Sequence, residues 1–191
     1  NMPTATLIAS NKIAISKKIA SIIQTKLFRP YISEDVIGSQ IAGATKNVYA
    51  IACGVVEGKK FGKNAVASII SRSFAEVSRL NKSMRAKPET LSGLSGMGDL
   101  FLTCSSKKSR NFKLGLDLAS GMSLSSIIKK NSSIAEGVFT ARALKQMSLK
   151  KKLNLPIAET VYQILYRKKN IDHAIEELLN RPIGREWYYE L

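Results

Sequence analysis

The sequence predicts a mainly α fold: an all-helical domain over residues 34–191, preceded over residues 1–33 by a short β-α-β unit. Three observations carry this. After Glu34 every periodic stretch of apolar residues has helical rather than alternating spacing. Both β-prone stretches, "PTATLIAS" and "LFRPYIS", fall before it. A lone β-α-β unit cannot cover both faces of a parallel sheet, so residues 1–33 read as the end of a larger α/β domain. The chain begins with Asn1 rather than methionine, and it reads as part of a longer protein.

Between the two extended stretches, Asn11 is placed to cap a helix with apolar positions Ile15, Ile19, Ile22 and Ile23. A long helix follows around Lys46. Gly54, Gly58 and Gly62 recur every four residues where it ends, which suits a close helix approach or a tight turn. A second helix spans 64–85 with Asn64 as its cap, and within it Glu76 is spaced to pair with Arg72 and Arg79. Further helices are expected over 109–120, 123–130, 137–149, 156–167 and 171–179. There is no internal repeat and no low-complexity tract.

At 191 residues, 45% hydrophobic, the chain is long enough to bury a core. No run approaches the roughly 18 apolar residues of a membrane span and no signal-peptide pattern opens the chain, so a cytoplasmic location is expected. A single histidine, His173, argues against a histidine-cluster metal site, and no metal is expected. Cys53 and Cys104 lack CxxC spacing and sit among small or apolar residues, which assigns them to the core. The net charge of +16 invites a nucleic-acid reading. Its distribution argues against one: the lysines form short clusters at 107–108, 129–130, 150–152 and 168–169, with no interleaved aromatic and basic stripe.

Two stretches carry chemistry. In "GATKNVYAIACG", Lys46 is the only charge between Asp35 and Glu57. On a helix, Ile41, Ala44, Val48, Ile51, Ala52 and Val55 form a core stripe, with Lys46 roughly opposite it. Its neighbours one turn away, Ala42, Gly43, Ala50 and Cys53, are small, so Lys46 is expected to project into a slot. A lysine partly desolvated in this way is suited to acid/base work, whereas the alternative is a lysine snorkelling to the surface.

The second stretch is "LSGLSGMGDLFLTCSSKKSRNFKLG". Glycines 93, 96 and 98 lead into Asp99, and Ser109 can cap a helix beginning Arg110-Asn111. Unpaired N–H groups at a helix start, a hydroxyl and a guanidinium form a natural phosphate site. The alternative is a glycine-rich connector ending in an ordinary cap. The glycines do not match G-x-G-x-x-G and no strand precedes them, which excludes a dinucleotide-binding loop here. Together with Lys46 these groups suit a small anionic substrate carrying hydroxyls.

"GATKNVYAIACGVVEGKKFGKNA", "GLSGMGDLFLTC", "SRNFKLG" and "AEGVFTA" together closely resemble the bacterial NAD(P)-dependent glycerol-3-phosphate dehydrogenases, in order and spacing, over essentially the whole chain. The resemblance implies that residues 1–33 are the end of a Rossmann domain and that residues 34–191 form the substrate domain. It implies Lys46 as proton acceptor and donor, and Lys46, Asp99, Ser109, Arg110 and Asn111 as the holders of glycerol 3-phosphate or dihydroxyacetone phosphate. Arg110, Ile134 and Glu136 would lie along an NAD or NADP cofactor. The implied purpose is supply of glycerol 3-phosphate for phospholipid synthesis, and a homodimer stays open.

Departures are few. Ala42-Gly43 stands where a glycine pair is common, and Thr45 where an aliphatic residue is usual. The family's dinucleotide-binding glycine loop and its "GPSFA"-like segment would lie upstream of Asn1. The chain alone is therefore expected to lack turnover, and the choice between NAD and NADP is not readable from it. The competing reading is a non-catalytic basic helical module or a truncated remnant.

Overall fold

The structure is a computed structural model that describes residues 2–130 and 134–182. It opens with strand β1 (Thr4–Ala9), helix α1 (Ile13–Ile23) and strand β2 (Phe28–Ser33). The strands pair in parallel, from Thr4 opposite Phe28 to Ala9 opposite Ser33, which is the expected β-α-β unit. Two details differ from expectation. Helix α1 has Lys12 rather than Asn11 at its cap position, and no side-chain cap forms because lysine carries no acceptor; Ser10 Oγ accepts from the Lys12 N–H at 3.2 Å. The buried residue of α1 is Ser16, while Ile15, Ile19 and Ile22 are 47%, 41% and 71% exposed. The isoleucine stripe thus lies away from the sheet, and nothing among the described residues buries it.

Asp35 then caps the central helix α2 (Val36–Gly58). One carboxylate oxygen accepts from the Gly38 N–H at 2.9 Å and the other from the Lys87 N–H at 2.8 Å. Burial pushes the Asp35 carboxyl up, but these two N–H groups and the Thr90 hydroxyl hold it on balance below its ordinary value. The helix differs from the amphipathic stripe expected for it. It is enclosed nearly all round: Ala42, Thr45, Asn47 to Ile51 and Cys53 to Val56 are buried, whereas Ala44, assigned to the core, is exposed. Small residues on the side opposite the stripe admit neighbouring helices that a hydrophobic period does not reveal.

Those neighbours are α3 (Lys63–Ser83), α5 (Asp99–Ser105), α6 (Arg110–Ala119), α8 (Glu136–Lys151) and α9 (Pro156–Arg167). Helix α4 (Pro88–Ser92), α7 (Leu124–Lys130) and α10 (Ile171–Leu179) complete the order: α9 and α10 have the expected bounds, the other helices with expected bounds lie within one or two residues of them, and α4 and α5 are additional to those expected. Both roles proposed for the glycine series occur. A Cβ on Gly54 would stand 2.1 Å from the Phe112 carbonyl oxygen, and one on Gly115 2.2 Å from that of Ile51, so α2 and α6 cross backbone to backbone. Gly62, at φ +87°, turns the chain into α3 and displaces Asn64 from the expected cap.

Glu76 is close enough to Arg79 to feel its charge, as expected, but its hydrogen-bond partners lie elsewhere. It lies 1% exposed and accepts from the Ile157 N–H at 2.6 Å, the Ala158 N–H at 3.2 Å and the Tyr49 hydroxyl at 3.3 Å. An acidic side chain from α3 thus caps α9, where the helix dipole and orphan N–H groups favour it. Cys53 and Cys104 are fully buried partners in the core, and the hydrogen bond between them, with burial, pushes the Cys104 thiol up.

Candidate active site

The glycine stretch, for which a plain connector is the alternative reading, is helical. After α4, residues Leu94–Gly98 form one π-helical turn that runs directly into α5, so Asp99 becomes the first residue of that helix. Single π turns recur at functional positions because they re-aim the residues that follow. Gly96 makes this one possible, since a Cβ there would lie 1.8 Å from the Leu91 carbonyl oxygen.

Asp99 meets Lys46 across 53 residues of sequence: Nζ to Oδ2 is 2.5 Å, and the side chains are 23% and 32% exposed. Thr103, one turn along α5, donates to the other Asp99 oxygen at 3.3 Å. Lys46 therefore does lie in a partly closed site, and its slot contains a carboxylate that holds the ammonium in place. A charge-assisted hydrogen bond with reduced solvent contact is about twice as strong as a neutral one.

The three residues expected to hold a phosphate lie together at the start of α6, each with its own protein partner. Ser109 Oγ accepts from the Phe112 N–H at 3.3 Å, the expected cap. Asn111 is buried, and its side chain points back to α2: Nδ2 donates to Asn47 Oδ1 at 3.0 Å. Arg110 and Glu136 are 62% and 67% exposed and face each other, Nη2 to Oε1 at 3.4 Å. Arg110 also borders a groove of about 380 Å³ shared with Ile134, the half-exposed Ala135 and Val138.

The site residues singled out from the sequence fall into three groups, Lys46 with Asp99, Asn111 with Asn47, and Arg110 with Glu136 and Ile134, while Ser109 stays apart as the cap of α6. Sequence reasoning passed over Asn47 and Thr103. A signal existed for each: Asn47 is a polar residue beside Lys46 in an apolar helix, and Thr103 stands four residues after Asp99.

Comparison with known proteins identifies the family. Residues 35–176 match the family described as NAD-dependent glycerol-3-phosphate dehydrogenase C-terminus. A glycerol-3-phosphate dehydrogenase [NAD(P)+] of Caulobacter vibrioides is 46% identical over 186 residues, 97% of this chain and 56% of that protein. One of Parvibaculum lavamentivorans is 45% identical over 185 residues, with the same 97% and 56% shares. The crystal structure of glycerol-3-phosphate dehydrogenase from Coxiella burnetii superposes with a TM-score of 0.91 at 36% identity, covering 94% of this chain and 55% of that one. The chain thus spans about half the length of the relatives it matches. With the family's C-terminal region matched over residues 35–176, the chain belongs to the NAD-dependent glycerol-3-phosphate dehydrogenase family.

Proposed function

We propose that this chain forms the substrate-binding half of an enzyme that interconverts sn-glycerol 3-phosphate and dihydroxyacetone phosphate with NAD or NADP. The observation that carries the reading is the half-buried pair of Lys46 and Asp99, brought together by α2 and α5 in a member of this family. In this reading residues 1–33 belong to the cofactor-binding domain and residues 34–191 to the substrate domain. The open isoleucine stripe of α1 supports the division, since an apolar face of this kind is suited to a further layer.

Oxidation requires the C2 hydroxyl proton to leave as the hydride departs, and reduction requires its return. One amine at that oxygen serves both directions. Lys46 takes this role, with Asp99 fixing Nζ and Thr103 fixing Asp99. Ser109, Arg110 and Asn111 hold the phosphate, where the Asn111 N–H lies in the first turn of α6 and has no acceptor within the helix.

Toward the cofactor the chain offers Arg110, Ile134 and Glu136. Two charged side chains more than half exposed beside an apolar one fit an edge of a dinucleotide, not its main cradle. The chemistry a nicotinamide supplies when bound is acceptance or return of the C2 hydride. The same reading places the protein in the cytoplasm, supplying glycerol 3-phosphate for phospholipid synthesis, and is compatible with a homodimer. No helix among the described residues is long and apolar enough to cross a membrane.

Calorimetric titration of the chain with glycerol 3-phosphate tests the substrate side. Saturable binding that is weakened about ten- to a hundredfold in Arg110→Ala, and weakened also in Asp99→Asn, is expected. A folded chain that shows no saturation up to about 10 mM contradicts the reading.

A further inference from the structure

Three helices are joined beside the site by a closed ring of hydrogen bonds. Asn47 Nδ2, on α2, donates to Glu136 Oε2 at 3.1 Å. Asn111 Nδ2, on α6, donates to Asn47 Oδ1 at 3.0 Å. The Gly137 N–H, on α8, donates to Asn111 Oδ1 at 2.9 Å, and Glu136 and Gly137 are consecutive, so the ring closes. Only one arrangement of the two amides satisfies it. An ionised carboxylate only accepts, which turns the Asn47 NH₂ toward Glu136 and its oxygen toward Asn111; the Asn111 oxygen is then left to accept from Gly137.

The ring is tightly built. Asn47 and Asn111 are 7% and 6% exposed. A Cβ on Gly137 would lie 2.6 Å from Asn111 Oδ1 and 2.7 Å from the Asn47 carbonyl oxygen, so only glycine fits there without displacing it. Breaking a buried amide pair leaves unsatisfied groups, which makes such a ring resistant to rearrangement.

We propose that Asn47 is a positioning residue that orients the Asn111 amide at the start of α6 and ties it to Glu136, linking the substrate side of the site to the cofactor side. This rests on the substrate assignment above. Asn47 acts through Asn111 on glycerol 3-phosphate and through Glu136 on the cofactor edge.

The test is a double-mutant cycle on the affinity of the chain for glycerol 3-phosphate. Asn111→Ala and Asn47→Ala are each expected to weaken binding about tenfold, and the double variant no more than about twofold beyond Asn111→Ala, because both remove the same oriented group. A role in stability alone lowers the melting temperature of Asn47→Ala but leaves its affinity unchanged, which overturns the proposal. Independent effects that multiply to about a hundredfold also overturn it. If the unsubstituted, folded chain does not bind glycerol 3-phosphate, the substrate assignment itself fails and the proposal falls with it.

If Asn47→Ala does not fold, side-chain amide NMR of the unsubstituted chain decides. The Asn47 and Asn111 NH₂ resonances should shift together along one glycerol 3-phosphate titration. An Asn111 shift with Asn47 unmoved refutes the coupling.

Discussion

Raising the pH from 5 to 8 should destabilise this protein through one side chain, Glu76. Burial, offset in part by the Ile157 and Ala158 N–H groups, Arg79 and the Tyr49 hydroxyl, raises its carboxyl from 4.5 to about 7. The folded state therefore holds the Glu76 proton more tightly than the unfolded chain does. The stability this confers is fully present below about 4.5 and is lost as pH rises through about 7. At roughly 1.4 kcal/mol per unit, the interval from 4.5 to about 7 amounts to about 3 kcal/mol. For a chain of this size that is a drop in melting temperature of roughly 6–12 °C.

The assay is a set of thermal or urea melts at half-unit pH steps, on the unsubstituted chain and on Glu76→Gln. Glutamine cannot ionise, so its profile should be flatter across the window. It should also cost about 1–3 kcal/mol at pH 5, because one of the two α9 N–H groups then faces an NH₂. His173, exposed on α10, is common to both proteins, so the difference between the two profiles isolates Glu76. Identical slopes for the two proteins between pH 5 and 8 would refute the reasoning.

The remaining predictions concern packing and ligands. Gly115→Ala, whose Cβ would stand 2.2 Å from the Ile51 carbonyl oxygen, should force α6 off α2 and cost about 1–3 kcal/mol in a melt. Gly43→Ala, with nothing within 4 Å of the added Cβ, should instead stabilise α2 by up to about 1 kcal/mol. Arg110→Ala should weaken glycerol 3-phosphate binding about ten- to a hundredfold, and Arg110→Lys should recover only part of it because the planar fork is lost; unchanged titrations would reduce the α6 start to a plain cap. The chain alone should bind NADH and NADPH weakly and turn over neither, and micromolar calorimetric binding would contradict the proposed division of labour.

The helices after residue 109 were the most legible part of the fold. Ser109 and Asn170 cap α6 and α10 with their side chains, Pro156 opens α9, and apolar spacing runs between these signals. Where sequence reasoning fell short, a tertiary partner decided the outcome. The Lys46 helix reads as one-sided because Gly54 and its small neighbours carry no hydrophobic signal, yet they admit α6 to backbone contact. Glu76 feels the charge of Arg79 at helical spacing, but its hydrogen bonds come from the Tyr49 hydroxyl and from N–H groups about 80 residues away. The glycines at 93–98 suggest a loop by propensity, while close packing on Leu91 closes them into a π turn. The meeting of Lys46 with Asp99 is likewise invisible to spacing. Their residue chemistry suggests a shared anionic ligand, and the resemblance to a family whose motifs occur together assigns both residues to one site.

The central claim is that Lys46 moves the C2 hydroxyl proton of glycerol 3-phosphate. It is tested most directly by the kcat of Lys46→Met and Lys46→Arg in the dehydrogenase completed by its dinucleotide-binding domain, with melting curves recorded alongside. Neither methionine nor arginine can exchange a proton in this pH range, so kcat should fall about 10²–10⁴-fold while the melting temperature changes little. A Lys46→Met enzyme that stays within about tenfold of the unsubstituted one would place the acid/base group elsewhere and contradict the account.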